Sequence, residues 1–187
     1  MSLVGSKTTS DYINFDRSMN TGMKLINSDS KKLIGLYIIV SINTGLRVSD
    51  VLRLKWSDLE NDTFEIIEKK TNKHRVIRVN DSIKSVLNKF EINNSDENIF
   101  ISQKGSVYSV QQINRILKDV FKIESKRHNI SSHSLRKSFG RRVYENNNES
   151  EKSLVYLSEL FNHTSLSITR KYLGIRQEEL NDIYMNL

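Results

Sequence analysis

The chain has 187 residues, 37% of them hydrophobic and 27% charged, which fits a single folded domain and excludes a disordered chain. Its 29 lysine and arginine residues against 22 aspartate and glutamate residues leave a formal net charge of +7, which favours an anionic partner such as nucleic acid without proving one. The chain has no cysteine, which excludes disulfides and thiolate metal sites, and no run reaches the roughly 20 apolar residues of a membrane span. We therefore expect a cytoplasmic protein with no membrane partner.

The first predicted element is a buried helix. Residues 1–29 form a predicted N-terminal lead-in, of which 1–7 resemble an initiator methionine followed by an artificial linker. Ser30 is placed to cap a helix that begins at Lys31 and stops at Gly45. Apolar residues on nearly all sides of this helix predict that it lies at the centre of the fold.

Beyond Gly45 the pattern changes from helix to strand and back. A period of two at 64–68 and 75–79 predicts two strands joined by a Lys-Thr-Asn-Lys turn. Helices are predicted at 48–55, 81–90, 110–123, 132–145, 152–161, 166–172 and 177–186. The predicted fold class is mainly α with a small antiparallel β-sheet, an α+β domain.

Arg47 is the first candidate functional residue, because it follows the predicted helix stop at the mouth of the next helix. An arginine there is commonly a surface residue, and Asp50 is placed to pair with it. The functional alternative is phosphate binding, since a planar guanidinium donates to two phosphate oxygens at once and a lysine does not.

Further candidates lie in the second half of the chain. His133 and Arg136 are three residues apart, so on a helix they share a face and can reach one anion. Lys137 follows, and a plain basic helix would give the same pattern. His163 ends a helical stretch, where capping is the commoner role. Tyr172 lies nine residues later, and most tyrosines are packing residues.

The predicted hairpin turn concentrates basic side chains. They are Lys69, Lys70, Lys73, His74 and Arg75. A lysine-rich hairpin tip is often only a solvated edge. A hairpin is equally suited to delivering one lysine into a groove of DNA, and the pattern favours neither interpretation.

The candidate residues suit phosphoryl transfer through a tyrosine. They include no metal-ligand spacing and no glycine-rich phosphate loop, so no metal and no cofactor is expected. Arginine and histidine neutralise charge that grows on a pentavalent phosphorus. A tyrosine hydroxyl can attack, and a lysine can protonate the departing oxygen.

In this order the motifs resemble the tyrosine recombinase (phage integrase) family over about residues 30–175. The stretches that carry the resemblance are Thr-Gly-Leu-Arg-Val-Ser-Asp at 44–50, Leu-Lys-Trp-Ser-Asp-Leu at 54–59, Lys-Thr-Asn-Lys-His-Arg at 70–75, His-Ser-Leu-Arg-Lys-Ser-Phe at 133–139, Leu-Phe-Asn-His-Thr-Ser at 160–165 and Tyr172. Asn162 departs from the usual glycine before the histidine. Lys69 adjoins Lys70, which leaves the position of the catalytic lysine open by one residue.

The resemblance implies the catalytic domain of a site-specific DNA recombinase or integrase that works through a 3′-phosphotyrosyl intermediate. The implied catalytic residues are Arg47, Lys70, His133, Arg136, His163 and the nucleophile Tyr172. Two arginines and His163 would hold the non-bridging oxygens, His133 would assist proton transfer, and Lys70 would be the general acid. Asp50 would orient Arg47, with helix capping as the alternative role.

The resemblance also implies partners. Double-stranded DNA is the expected partner, and the predicted DNA contacts are Lys69, Lys73, Arg75, Lys137 and Arg170. Family members act as homotetramers on paired sites, and the helical tail at 176–187 would dock on a neighbouring protomer or on its own domain. Because 30 residues before the first motif leave no room for the family's N-terminal core-binding domain, we expect a fragment or a very short member.

Three other functions fit parts of this pattern. A type IB topoisomerase uses the same chemistry without a partner site. A DNA-binding module could keep the fold without catalysis, although every member of the catalytic set is present. A phosphodiesterase would form the phosphotyrosine in passing and release broken ends.

Overall fold

Helix α2, Lys32–Thr44, lies at the centre of the fold. The computed structural model describes residues 10–175 and 182–186. Every residue from Ile34 to Ile42 is buried, which confirms the prediction of a central helix. The helix begins one residue later than predicted, because Lys31 and not Ser30 is the N-cap residue. It ends as predicted at Gly45, which adopts the left-handed conformation.

The order of elements confirms the mainly α class. The elements are α1 Phe15–Ile26, α2 Lys32–Thr44, α3 Val48–Val51, α4 Trp56–Glu60, β1 Thr63–Ile67, β2 His74–Arg78, α5 Asp81–Leu87, α6 Val110–Val120, α7 Lys122–Ser125, α8 Ser132–Asn146, α9 Glu151–Phe161 and α10 Leu166–Leu173. The strands β1 and β2 form a two-stranded antiparallel sheet, as the period of two predicts.

Helix α1 lies within the predicted lead-in 1–29 and packs along α2. Its buried face consists of Ser18, Gly22 and Ile26. Where the two helices cross, a Cβ atom on Gly35 would lie 2.7 Å from the carbonyl oxygen of Gly22. The backbones therefore touch, and only glycine permits this distance. Phe15, Met19 and Ile26 recur at helical spacing and pack on the core, so an apolar face was present in the sequence although no helix was predicted here.

The segment before α1 is bound to α8. The backbone N–H of Asp11 donates to the Asn129 carbonyl over 3.1 Å, in the loop just before that helix. Further along, the N–H of Ile13 donates to the Ser138 hydroxyl over 3.3 Å, and that hydroxyl donates back to the Ile13 carbonyl. Residues 10–13 thus form an N-terminal strap along α8.

The hairpin places its turn at the predicted position. Thr63 pairs with Arg78 and Ile67 with His74, so each strand begins one residue earlier than the predicted 64–68 and 75–79. The turn is closed by the N–H of Glu68, which donates to the Lys73 carbonyl over 3.0 Å.

Three predicted helices end earlier in the structure than predicted. The helix predicted at 48–55 ends at Val51, and the Leu54 carbonyl accepts a hydrogen bond from the N–H of Ile99 over 3.0 Å while Lys55 pairs with Asn98. Helix α4, which begins at Trp56, was not predicted. The helix predicted at 110–123 breaks at Phe121, where the backbone leaves helical angles. That predicted at 81–90 ends at Leu87.

Helices α8, α9 and α10 enclose a second, smaller core. Its buried residues are Tyr144, Leu154, Leu157, Phe161, Leu173 and Ile175. Because Leu173 belongs to this core, the preceding residue of α10, Tyr172, is held against the rest of the domain. The second core therefore fixes the position of the predicted nucleophile.

The C-terminal helix predicted at 177–186 lies partly outside the described residues. Within it, 182–185 are helical. None of the helices in the described ranges has the length and apolar character needed to cross a membrane.

Candidate active site

One open cleft of about 390 Å³ brings the predicted catalytic side chains together. Its lining residues are Arg47, Lys70, Thr71, His133, Arg136, Phe161, Asn162, His163 and Tyr172. All six predicted catalytic residues are in this set, although they come from five separate parts of the chain. Of the two adjacent lysines that the sequence left open, Lys70 lines the cleft.

Arg47 reaches the cleft because α2 ends abruptly. Gly45 has φ of 60°, and a Cβ atom there would lie 2.3 Å from the Phe139 ring, so the turn requires glycine. Arg47 is then the N-cap residue of α3. Its Nη2 donates to the carbonyl of Phe161 over 3.1 Å, which ties α3 to the end of α9.

The carboxylate that pairs with Arg47 is that of Glu68, not that of Asp50 as predicted. Nη1 of Arg47 donates to Glu68, whose side chain is 1% exposed. Asp50 instead accepts from Arg53 over 2.8 Å and from the N–H of Lys69 over 3.0 Å. It is buried at the start of α3 and faces the hairpin, so it fastens the hairpin to α3.

Arg136 lies on the inner face of α8 and is 4% exposed. Its Nη1 donates to the Gly45 carbonyl, and its guanidinium carbon lies 4.4 Å from the centre of the Phe161 ring. Burial lowers the pKa of Arg136 to about 10, so the group stays positive at neutral pH. A desolvated cation with few partners is well suited to bind an anion.

Both cleft histidines are neutral at pH 7 when no anion is bound. Burial lowers the pKa of His163, and the positive charges of Arg136 and Arg47 lower it further. The His133 side chain is open to the cleft, yet partial burial and the charge of Arg136 lower its pKa in the same way. Neutral imidazole can accept a proton or donate one hydrogen bond.

Thr169 orients the His163 ring. Nδ1 of His163 lies 3.0 Å from the Thr169 hydroxyl, whereas the alternative acceptor of that hydroxyl, the Ser165 carbonyl, is 3.5 Å away. We therefore assign the hydroxyl as the donor to Nδ1, which leaves the proton of the imidazole on Nε2. His163 then presents an N–H group.

Asn162 occupies the turn position at which the resembled family usually has glycine. It ends α9 in the left-handed conformation, with φ of 56°. Asparagine is among the few residues with a side chain that tolerate these angles. The next N–H, that of His163, donates to the Ser158 carbonyl over 2.9 Å. The departure from glycine therefore leaves His163 fixed at the cleft.

Tyr172 packs edge-on against the His163 ring, with ring centres 5.2 Å apart. Its hydroxyl oxygen is buried, and its polar neighbour is the Arg136 guanidinium, whose approach falls outside standard hydrogen-bond geometry. Burial raises the pKa of Tyr172 to about 12, although Arg136 and Arg47 act in the opposite direction. The hydroxyl is therefore protonated at neutral pH.

Two of the predicted DNA contacts point into the protein. Nη1 of Arg75 donates to Glu68 over 2.9 Å. Lys137 is 8% exposed, donates to the Ser10 carbonyl over 2.6 Å, and lies 5.0 Å from the centre of the Tyr172 ring. Both are internal contacts, which corrects the prediction for these residues.

The other three predicted contacts are more open. Lys69 and Lys73 are exposed on the hairpin, and Arg170 is half-buried on α10.

Within 10–175 and 182–186, no group of three or more histidine and acidic side chains is arranged to hold a metal ion.

Sequence reasoning missed Glu68, although a signal was present. Phe64 is buried and Ile66 half-buried, so the period of two in β1 continues inward to Glu68. A carboxylate at an inward position beside several basic residues predicts a buried ion pair. Arg75 is two residues before the buried Ile77, and the same alternation turns it inward.

A mainly helical domain in which a hairpin lysine, two arginines, two histidines and a tyrosine share one cleft has the architecture of a tyrosine recombinase catalytic domain. The chain belongs to the phage integrase family, whose family model matches residues 18–179.

The chain is also similar in sequence to curated recombinases. Tyrosine recombinase XerH of Campylobacter jejuni is 30% identical over 152 residues, which are 78% of this chain and 42% of that protein. The probable integrase/recombinase YoeC of Bacillus subtilis is 31% identical over 153 residues, 78% of this chain and 80% of that one. The chain thus spans less than half of XerH.

Solved structures share the fold. The XerA recombinase superposes with a TM-score of 0.68 at 18% identity, over 97% of this chain and 65% of that one. XerH bound to a palindromic difH substrate, in a post-cleavage complex, superposes with a TM-score of 0.67 at 23% identity, over 99% of this chain and 56% of that one.

Proposed function

We propose that this chain cleaves and rejoins DNA strands through a covalent bond between Tyr172 and a 3′-phosphate, as a site-specific recombinase. The observation that carries the proposal is the single cleft lined by Arg47, Lys70, His133, Arg136, His163 and Tyr172. Membership of the phage integrase family supports it. XerH, a relative, has been solved on a DNA substrate after cleavage.

The proposed step is an in-line displacement at phosphorus. The Tyr172 oxygen forms a bond to the scissile phosphorus as the bond from phosphorus to the 5′-oxygen breaks. The hydroxyl proton passes to the neutral imidazole of His133, and Lys70 gives a proton to the 5′-oxygen, which leaves as a hydroxyl. Attack by a 5′-hydroxyl from a partner strand reverses each transfer and releases the tyrosine.

The remaining residues stabilise charge in the transition state. Arg47 and Arg136 supply cations at the non-bridging oxygens, and His163 donates from Nε2. The buried setting of Arg136 strengthens its attraction for a phosphate, because little water screens it. Removal of any one of these donors should lower the cleavage rate far more than DNA affinity.

The proposed partner is double-stranded DNA, in the cytoplasm. The net charge of +7 and the exposed hairpin lysines Lys69 and Lys73 supply the phosphate contacts. We further propose that protomers assemble as a tetramer on paired sites and that the tail at 176–187 takes part. Ile183, Tyr184 and Met185 support this, since these side chains are 58%, 73% and 83% exposed.

The test is covalent capture of DNA. The protein as its gene encodes it is mixed with a library of nicked duplexes of random sequence in the presence of EDTA, then denatured, and the attached strands are sequenced. The wild-type protein should retain DNA through a 3′-phosphate at one preferred sequence, and Tyr172→Phe should retain none. An adduct that persists in Tyr172→Phe, or no adduct with either protein, contradicts the proposal.

The same captured sequence separates the two catalytic alternatives. A recombinase exchanges strands only between two copies of the site. A type IB topoisomerase would relax supercoiled plasmid that lacks the site, so plasmid relaxation without the captured sequence would favour it.

A further inference from the structure

Glu68 follows β1 on the inward face of the hairpin, behind the cleft. Its side chain is 1% exposed, and both carboxylate oxygens are occupied. Oε1 accepts from Arg75 over 2.9 Å, and Oε2 accepts from Arg47 and from the Thr71 hydroxyl, the latter over 2.6 Å. One buried carboxylate therefore binds three side chains from two parts of the chain.

Glu68 is ionised at all ordinary pH values. Burial alone would raise its pKa, but the hydrogen bonds from Thr71, Arg75 and Arg47 outweigh burial and lower the pKa to about 2. None of the nine described residues that line the cleft is acidic. Glu68 thus supplies a negative charge directly behind a positively charged cleft, and it faces Arg47 and not the open space.

The two bonds of Oε2 connect the proposed phosphate clamp to the proposed general acid. Arg47 is held at Nη1 by Glu68 and at Nη2 by the Phe161 carbonyl, which fixes the plane of its guanidinium. Thr71 is adjacent to Lys70 in the hairpin turn. The hydrogen bond from Thr71 therefore anchors the turn at the residue next to the lysine.

The backbone of Glu68 also closes that turn. Its carbonyl accepts from the N–H of Asn72 over 2.8 Å, and its N–H donates to the Lys73 carbonyl over 3.0 Å. Asn72 has φ of 54°, so the turn has a single sharply defined geometry. Side chain and backbone of the same residue thus constrain the loop that carries Lys70.

We propose that Glu68 is a positioning residue that sets the Lys70 turn in register with Arg47, so that general acid and clamp meet the same phosphate. This inference rests on the proposed function. A purely structural ion pair is the alternative, because breaking a buried ion pair commonly destabilises a protein. The two are distinguished by a substrate that needs no general acid.

Such a substrate has sulfur in place of the bridging 5′-oxygen at the captured site. A thiolate leaves without protonation, because thiols are much stronger acids than alcohols. The Lys70→Ala variant is the reference for loss of the general acid. Its cleavage rate on the oxygen substrate should fall about 10²–10⁴-fold, the usual contribution of a general acid, and its rate on the sulfur substrate should stay near that of the wild type.

The test variant is Glu68→Gln, which keeps the shape and removes the charge, and Glu68→Asp is the conservative comparison. We expect Glu68→Gln to slow cleavage of the oxygen substrate at least about tenfold more than cleavage of the sulfur substrate. DNA affinity should change little, and Glu68→Asp should recover part of the rate. Equal losses on the two substrates, or no loss on either, overturn the inference.

Thr71→Val keeps the test decisive if Glu68→Gln does not fold. It removes only the side-chain hydrogen bond between Thr71 and Glu68, and leaves the groups of both Glu68 ion pairs in place. The same preference for sulfur is expected, and its absence counts against the inference. A wild-type protein that forms no adduct with either substrate would instead contradict the proposed function, so the two failures are distinct.

Discussion

Protonation states in the cleft determine which residues can move a proton. The pKa of Tyr172 is raised to about 12 by burial, so its hydroxyl, the proposed nucleophile, carries its proton at neutral pH. The pKa of His133 is lowered, mainly by burial and further by Arg136, so its imidazole is neutral at neutral pH and can accept a proton. The site therefore pairs a weak acid with a neutral base, and the arginines supply the positive charge.

The cleavage rate should consequently depend on pH through a histidine. As pH falls below the lowered pKa of His133, the imidazole gains a proton and can no longer accept one, so the rate should drop about tenfold per pH unit. The drop should begin below pH 6.5, the ordinary histidine value. Single-turnover adduct formation measured from pH 4.5 to 8 checks this.

His133→Gln is the matched variant for that profile. It should be slower at pH 7 and show no such drop, whereas His128→Gln, outside the cleft lining, should keep the wild-type profile. A drop of unchanged midpoint in His133→Gln would assign the titration to another group.

At this scale the sequence predicted which residues meet but not how they are held. The order and spacing of the motifs singled out six residues that line one cleft. The partner of Arg47 could not be found from spacing, because Asp50 and Glu68 are both acidic and only the hairpin's packing brings Glu68 closer. Lys137 was assigned to DNA because the strap that covers it leaves no pattern in the sequence.

Among the elements, α8 connects the most features of the site. It carries His133 and Arg136 on its first turns, and its Lys137 side chain contacts both the Ser10 carbonyl and the Tyr172 ring. The Lys137 side chain of α8 therefore contacts both the N-terminal strap and α10. Polar contacts of this kind have no periodicity in the sequence, so the pattern of apolar residues does not predict them.

The element boundaries illustrate the same limit. The long predicted helices were recovered because a helical period over ten or more residues is a strong signal. Helix α1 was missed although Phe15, Met19 and Ile26 give it an apolar face, and the close approach of Gly22 to Gly35 was not predicted either. Close contact of two backbones depends on the partner helix, which a local pattern does not contain.

Gly35→Ala should destabilise the domain through this crossing. The new Cβ atom would lie 2.7 Å from the Gly22 carbonyl oxygen and 2.7 Å from the Ile26 nitrogen, both backbone atoms that cannot rotate away. Overpacking costs about 1–3 kcal/mol, and the better helix propensity of alanine returns about 1 kcal/mol. The difference is about 0–2 kcal/mol, and because both contacts are with backbone atoms we expect the free energy of unfolding, measured in urea, to fall by an amount near the upper end, about 2 kcal/mol.

Gly22→Ala is the graded control. Its Cβ atom would first meet the flexible side chain of Ile39, at 2.8 Å, with the Gly35 carbonyl oxygen at 3.2 Å. It should therefore cost less than Gly35→Ala. A stabilised Gly35→Ala protein would show that the helices separate easily and that the crossing is not tightly packed.

At the scale of the whole molecule, the cleft of one chain is distinct from the proposed contact between protomers. A single chain provides every proposed catalytic side chain, so the proposed cleavage step can be assembled within one copy. Exchange between two sites requires that protomers communicate, and the described part of the tail offers apolar side chains for contact. Large exposed apolar side chains in a row usually mark an interface.

The tail should therefore govern cooperation between sites and leave the single cleft unaffected. The double variant Ile183→Ser, Tyr184→Ser removes two of its exposed apolar side chains without shortening the chain. Loss of such interface anchors should weaken cooperative binding to DNA with two captured sites about tenfold, or about 1.4 kcal/mol, in gel-shift titrations. Cleavage of a nicked single site should stay at the wild-type rate.

Asn186→Ser is the matched control, because it changes a neighbouring polar residue of the same segment. It should leave both cooperation and cleavage intact. If the double variant binds paired sites as the wild-type protein does, the tail is not the contact between protomers. If cleavage at one site falls together with cooperation, the tail instead packs on its own domain, since only an internal contact would disturb a cleft that one chain completes.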